Sequence, residues 1–463
     1  MSAVSSRQRD GKAKDSTMTY AANNVRHLVG TGGMPAAPPF QVYNERHLER
    51  IPHLQCLPRE FRHAMGVVAR VLPFRVNQYV IDNLIDWDNI PDDPMFQLTF
   101  PQPQMLCQED FSRLARVLER GSAADIDTAV RAIRAGLNPH PAGQRQFNVP
   151  RVEGRCVDGL QHKYRETVLF FPAQGQTCHT YCTFCFRWAQ FVGDGRWRFS
   201  ARDGRNLHQY LAAHQEVSDL LVTSGDPMVM RTRHLKAYLL PLLSAEFDHV
   251  RHIRIGTKAL SYWPYRFLAE EDSDDLMRLL ETLVRAGKHV AVMAHYNHWR
   301  ELEDPAAQAA VARLRRTGAV IRSQGPLLNH VNNHPAIWAR LWKTQVRLGI
   351  VPYYMFVERD TGARHYFEVP LARAWTVYRD AAREVSGLAR TARGPSMSTA
   401  PGKVEVQGVA RIHGEEVFVL RFIQARDPAW VQRPFFARYD HRAVWLDDLR
   451  PWGEERFFFE GGA

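Results

Sequence analysis

Lysine is scarce in this chain: eight of 463 residues, although Lys and Arg together number 60. Cysteine is scarcer still, at six. Six thiols in a chain this long form no disulfide framework. Long apolar runs are missing too. "VLFF" and "YLLPLL" fall far short of the roughly 20 residues that cross a bilayer. The first forty residues hold no apolar core of the secretory kind. A cytoplasmic chain without a membrane partner is therefore expected. Lys plus Arg exceed the 49 Asp plus Glu by a net charge of +11. The excess is arginine spread along the chain, without a dense basic tract or an aromatic–basic motif, so nucleic acid is not expected as a partner. At 45% hydrophobic and 24% charged, the composition is that of a globular protein.

Residues 1–40 are polar, rich in Gly, Ala and Pro, and aperiodic, and are expected to form a disordered or loosely attached tail. Residues 41–155 read as a helical N-terminal region. "EFRHAMGVVARVL", "DFSRLARVLERG" and "AADIDTAVRAIRAGL" carry apolar positions at three-and-four spacing. Between them the proline-rich "PDDPMFQLTFPQPQML" is expected to be largely non-helical. From 156 to 390 short apolar runs alternate with amphipathic helices. The runs are 167–171, 220–224, 252–257, 289–295, 319–324 and 351–357. Six such βα units predict an α/β fold with a parallel sheet, either a partial (β/α)6 barrel or an open doubly wound sheet. Ligands then belong at the C-terminal strand ends. Residues 391–463 read as a flexible loop around Lys403 followed by a β and aromatic-rich extension. A hairpin is expected there, turning at "HGEE". The aromatic end is expected to pack on the barrel or on another subunit.

Three cysteines stand alone, Cys56, Cys107 and Cys156. The others share one segment after the first run, "TCHTYCTFCFRWAQ", as Cys178, Cys182 and Cys185. Three thiolates can hold three corners of a cubane iron–sulfur cluster and leave one iron open. Two other readings stay open at this point. Zinc requires four closed ligands, with His179 as a cramped fourth, and buried cysteines are also ordinary packing residues.

C-x3-C-x2-C with Phe184 before the third cysteine resembles the radical S-adenosylmethionine superfamily. The resemblance implies a [4Fe-4S] cluster whose open iron binds S-adenosylmethionine and a 5′-deoxyadenosyl radical that abstracts hydrogen. The match sharpens to the lysine 2,3-aminomutase family over about residues 155–410. "HKY" (162–164) resembles its segment near pyridoxal phosphate, which involves Lys163 and Tyr164. "TSGDP" (223–227) resembles its Gly-Gly-Asp element, giving Ser224, Gly225 and Asp226 as cofactor contacts, with Ser224 in place of a glycine. "HYNH" (295–298) gives His295 and Asn297, and "SQGPLL" (323–328) gives Gln324. Thr167 stands where lysine aminomutases carry an arginine, so phosphate binding is expected to differ.

In that family pyridoxal phosphate holds the migrating nitrogen as an imine, and its resting form needs a lysine. The scarcity of lysine leaves few candidates. Counted from Gly387, Lys403 has the family's spacing; the other reading is a surface turn lysine. Arg187 matches the arginine that pairs with the substrate carboxylate. Arg359 and Ser396 fall where lysine-specific members have two aspartates. A cation there predicts a substrate other than lysine, with an acidic, glutamate-like side chain. Glu358 and Asp360 flank Arg359, so a slip of one residue would restore a carboxylate.

The expected activity is thus a 2,3-amino shift on an α-amino acid, in a homo-oligomer served by a low-potential electron donor. The rivals are radical chemistry without pyridoxal phosphate, an iron–sulfur redox sensor, and a zinc nucleic-acid binder.

Overall fold

The computed structural model describes residues 38–139, 148–152, 154–193 and 195–460. The tail expected over residues 1–40 lies outside them except for its last three positions.

Eleven strands form the main sheet: β1 (Leu160–Tyr164), β2 (Thr167–Phe170), β3 (Asp219–Val222), β4 (His252–Thr257), β5 (His289–His295), β6 (Val320–Leu327), β7 (Val351–Val357), β8 (Arg393–Ser398), β9 (Gly402–Ile412), β10 (Glu415–Ala425) and β11 (Pro434–Arg438). They are ordered as in the chain. Strands β2 to β8 are parallel. Strand β1 is antiparallel to β2, and β8 to β11 continue as an antiparallel meander. Six parallel strands are expected from the apolar runs, and the sheet has seven. The extra one, β8, reads "RGPSMS" and has no apolar run to announce it.

The helices Arg205–Ala213, Thr232–Leu239, Ser273–Arg285, Pro305–Arg316, Pro335–Arg347 and Leu371–Arg383 alternate with the parallel strands. One face of the strands packs on these helices and the other turns toward the interior, and β5 is buried almost throughout, as its continuous apolar run implies. Asp304 caps its helix by accepting from the amides of Ala306 and Ala307, with Pro305 in the first turn. Gly287, Gly318 and Gly349 end three helices with φ of 85°, 86° and 77°.

Helices Arg59–Ala69, Gln108–Arg120 and Ala123–Gly136 form as their periodicity predicts. The proline-rich stretch departs from expectation, because Pro94–Thr99 is helical. Asp93 accepts from the amides of Met95 and Phe96, and Pro94 occupies the first turn, where its missing N–H costs nothing. This N-terminal region shares one apolar cluster with Phe184 and Trp188 of the cysteine loop and with Tyr262, Leu328 and Phe367 beyond the strand ends.

Strands β9 and β10 pair down to Ile412 with Glu415. The hairpin therefore turns on His413 and Gly414 alone, with φ of 49° and 85°, the two-residue turn that matches strand twist. The final aromatics Phe457, Phe458 and Phe459 pack on Phe422, Trp430 and Phe435 of this same extension.

Candidate active site

The loop after β2 carries the three cysteines, and the N-terminal region holds it in shape. Tyr181 N donates to Arg75 O (2.8 Å), Thr183 N to Leu98 O (3.0 Å) and Thr183 Oγ1 to Gln97 O (2.7 Å). The Asn77 amide donates to Thr180 Oγ1 at 3.1 Å. The segment that reads as unstructured thus anchors the loop through its helix Pro94–Thr99.

A cavity of about 330 Å³ opens at the C-terminal strand ends, within the usual range of small-molecule pockets. Cys178, Cys182, Cys185, Phe184, Arg187, Ser224, Gly225, Asp226, His295, Gln324, Arg359 and Lys403 all line it. Lys163, Tyr164, Asn297 and Ser396 do not. Asn297 is fully buried and takes a hydrogen bond from Lys258. Ser396 is fully buried, and its hydroxyl faces Arg393 O at 3.3 Å. Ser398, two residues on, lines the cavity in its stead.

Burial pushes the Cys182 thiol up to about 12, the Cys185 thiol to about 11 and the Cys178 thiol well above its usual range. These groups stay protonated until a cation displaces the proton. Among the described residues, the one triple of metal-type ligands with donor atoms all within 4.8 Å of one another is His162, His214 and Glu216. The three cysteines are spread more widely. A single tetrahedral ion with sulfurs at about 2.3 Å needs a tighter set, whereas a cubane offers each thiolate its own iron. His179, the imagined fourth zinc ligand, is pushed down to about 3 by burial, and its Nδ1 is buried without a partner. The spread of the three sulfurs suits a cluster better than a lone tetrahedral ion. The buried hydroxyl of Tyr262 lies on the same cavity wall, beside the Cys182 thiol.

Gly225 lies where a Cβ would come 2.5–2.7 Å from the backbone of Thr177, so only glycine lets this strand end touch the residue before Cys178. Ser224 donates to Gly175 O (2.6 Å), and its own carbonyl accepts from Arg187 Nη1 (2.7 Å). Asp226, raised to about 6 by burial, is occupied by Thr257 Oγ1 and the amides of Met228 and Lys258. It clamps β3 to β4. The Arg187 guanidinium lies 4.3 Å from the Phe171 ring. His295 stacks on Phe184 with ring centroids 5.7 Å apart.

Lys403 is the second residue of β9, opposite Ser398, and not part of a flexible loop. The short hairpin closes through Thr399 N to Gly402 O (2.9 Å). Gly402 is required because a Cβ there would meet Gln424 O at 2.4 Å. Nζ of Lys403 sits 4.2 Å from the Tyr354 ring, with no hydrogen bond or carboxylate partner among the described residues. Burial first, then the charges of Arg393, Arg254 and Lys163, hold its pKa well below the ordinary lysine value. The shift favours the unprotonated amine, the form that adds to a carbonyl group. Lys163 and Tyr164 reach the same region from β1, because the sheet curls until Lys163 Nζ donates to Thr399 O.

Two residues escaped the sequence reading. Lys258 lines the cavity and donates to Glu301 Oε1 (2.5 Å) and Asn297 Oδ1 (3.1 Å). Glu301 is fully buried and also accepts from Ser261 and from the amides of Asn297 and His298. Nothing in the sequence pairs Lys258 with Glu301, 43 residues on. Glu358 lines the cavity as well, its carboxyl pushed well up by burial, while Arg359 Nε faces Asp360 at 3.4 Å.

No protein-family model matches the chain. A putative L-lysine 2,3-aminomutase of Aquifex aeolicus is 30% identical over 404 residues, 87% of this chain and 94% of that protein. The L-lysine 2,3-aminomutase of Escherichia coli is 30% identical over 215 residues, 45% of this chain and 57% of that protein. The glutamate 2,3-aminomutase of Clostridioides difficile is 26% identical over 190 residues, 41% of this chain and 42% of that protein. Among solved structures, Streptococcus suis SuiB bound to S-adenosylmethionine covers 59% of this chain and 56% of its own at 12% identity, with a TM-score of 0.34, too distant to argue from. No helix among the described residues is long and apolar enough to cross a membrane.

Proposed function

The chain belongs to the lysine 2,3-aminomutase family of radical S-adenosylmethionine enzymes, and from that premise we propose that it shifts the amino group of a non-basic, acidic α-amino acid from C2 to C3. One observation carries the reading. Three cysteine thiols and the amine of Lys403, which has no hydrogen-bond or carboxylate partner among the described residues and a pKa held well below the ordinary lysine value, share a single cavity.

Cys178, Cys182 and Cys185 would hold a [4Fe-4S] cluster. Phe184, Ser224, Gly225, Asp226, His295 and Gln324 would border S-adenosylmethionine. Lys403 would hold pyridoxal 5′-phosphate covalently, with Lys163 and Tyr164 beside it. When bound, these groups supply a carbon radical that removes a substrate hydrogen atom and a conjugated ring through which an amino group can move. The protein's own residues bind and orient. Arg187 spends one N–H on Ser224 O and keeps donors for a substrate carboxylate. Leu169, Leu221, Met293, Phe356 and Val357 give the cavity apolar walls that exclude water. Arg359 brings a cation, beside Asp360, and burial raises the pKa of the Glu358 carboxyl, which supports an acidic substrate side chain. We read the curled parallel strands as a partial barrel. A homo-oligomer in the cytoplasm, reduced by a low-potential electron donor, completes the proposal.

Anaerobic reconstitution with iron, sulfide and pyridoxal phosphate, followed by mass spectrometry of an amino-acid panel, tests it. The expected result is 5′-deoxyadenosine together with an isomer of an acidic amino acid, and a loss of about 10–100-fold in kcat/KM for Arg359→Gln. Comparable turnover of free lysine would sink the substrate assignment. 5′-Deoxyadenosine without any isomer would point to radical chemistry that does without pyridoxal phosphate.

A further inference from the structure

Thr167 leaves the first parallel strand without the arginine expected of a phosphate grip, yet cations converge on Lys403 from other strands. Arg393 opens β8, and its guanidinium carbon lies 4.3 Å from the Tyr353 ring and 4.2 Å from the Tyr354 ring. Lys403 Nζ approaches the same Tyr354 ring at 4.2 Å. A register shift where β6 meets β7 passes over Tyr353 and pairs Gln324 with Tyr354. Such a bulge re-aims side chains, and here both consecutive tyrosines meet the Arg393 guanidinium. Arg254 of β4 lines the cavity with Tyr354 and Lys403. Lys163 reaches in from β1 to Thr399.

The charges do not cancel. Arg254 has one carboxylate, Asp219, at 2.7 Å. The Glu405 carboxylate accepts from Gly394 N, next to Arg393, and is paired with Arg421 at 2.7 Å. Nη2 of Arg393 is buried with no hydrogen-bond partner among the described residues. A buried guanidinium nitrogen without an acceptor is costly, and converging cations that outnumber the anions beside them cost more. A ligand with a multiply charged, oxygen-rich anionic end removes both costs at once. Guanidinium is the side chain best shaped to grip it in a fork.

We propose that Arg393, with Arg254 and Lys163, forms the site for a phosphate monoester dianion, and that the cofactor held by Lys403 places its phosphate there. The arginine lacking at position 167 is thereby replaced from the opposite end of the parallel sheet. The cofactor part of this inference rests on the pyridoxal phosphate reading above; the phosphate site itself does not.

Three probes separate the two on the full-length protein: inorganic phosphate by calorimetry, pyridoxal phosphate, and pyridoxal, which lacks the phosphate. The last two are scored by borohydride trapping and peptide mass spectrometry. Thermal melting checks that Arg393→Gln and Arg393→Lys are folded. Arg393→Gln is expected to weaken inorganic phosphate and pyridoxal phosphate about 10–100-fold and to leave pyridoxal unchanged. Arg393→Lys, which keeps charge but loses the fork, falls between. Equal affinity of wild type and both variants for inorganic phosphate and pyridoxal phosphate overturns the proposal. Phosphate binding that depends on Arg393, with no adduct on Lys403 in wild type, upholds the site and refutes the pyridoxal phosphate reading.

Discussion

Lys163 donates from its side-chain amine to the backbone carbonyl of Thr399, joining the first strand of the sheet to the hairpin that carries Lys403. The bond fastens two edges of the site that no strand pairing connects.

That contact has a pH signature. Burial, with Arg426 and Arg359 nearby, lowers the Lys163 pKa from 10.5 to about 7. The folded chain therefore binds fewer protons at this residue than the unfolded chain between those values. Stability from this group rises with pH across that window and reaches its low plateau below it. Denaturant midpoints from about pH 7 to 9 should climb more steeply for wild type than for Lys163→Met. Parallel slopes would contradict the assignment.

Lys403, with its pKa held far below the ordinary lysine value, should react at neutral pH with a small amine reagent ahead of Lys343, which is exposed on its helix. Peptide mapping of the cofactor-free protein reads the order directly. Pyridoxal phosphate should protect Lys403 selectively.

The Lys258–Glu301 pair closes the wall beside the cysteines. Removing the cation in Lys258→Met leaves a fully buried carboxylate. The remaining donors from Ser261, Asn297 and His298 keep the loss near the lower end of about 3–5 kcal/mol. Adding Glu301→Gln should restore part of it. Urea unfolding of the two single variants and the double variant measures the coupling.

Gly225→Ala forces a methyl group against the backbone of Thr177. Overpacking of this kind costs about 1–3 kcal/mol, and here it falls on the residue next to Cys178. Iron and sulfide bound per chain after reconstitution should drop in a protein that still melts cooperatively. Wild-type iron content would rule out the close approach as a requirement of the cysteine loop.

The six apolar runs, the helices between them and the cysteine spacing are legible in the sequence because periodicity and spacing are local properties. The helix Pro94–Thr99 is hidden because three prolines nearby outweigh one aspartate cap. Strand β8 is hidden because "RGPSMS" acquires its pairing from neighbours on both sides and not from its own composition. Lys403 is found by count, but its strand setting depends on a partner, β10, that the lysine's own segment does not encode. The pairing of Lys258 with Glu301 and the convergence of Arg254 and Arg393 arise only when distant strands meet. A reading that moves along the chain has no signal for them.

Translation runs in one direction, and the hold of Arg75 and Leu98 on the cysteine loop acquires a meaning in time. Both anchors leave the ribosome before Cys178, so the loop emerges after the backbone groups that hold it, although Tyr262, Leu328 and Phe367 of its apolar cluster follow later. Lys403 emerges long afterwards, on a hairpin that also needs β10. A nascent or truncated chain can thus carry all three thiols of the loop while lacking Lys403, the lysine that shares their cavity. The order of the residues thus sets the thiols and the lysine of one cavity far apart in the time at which they are made.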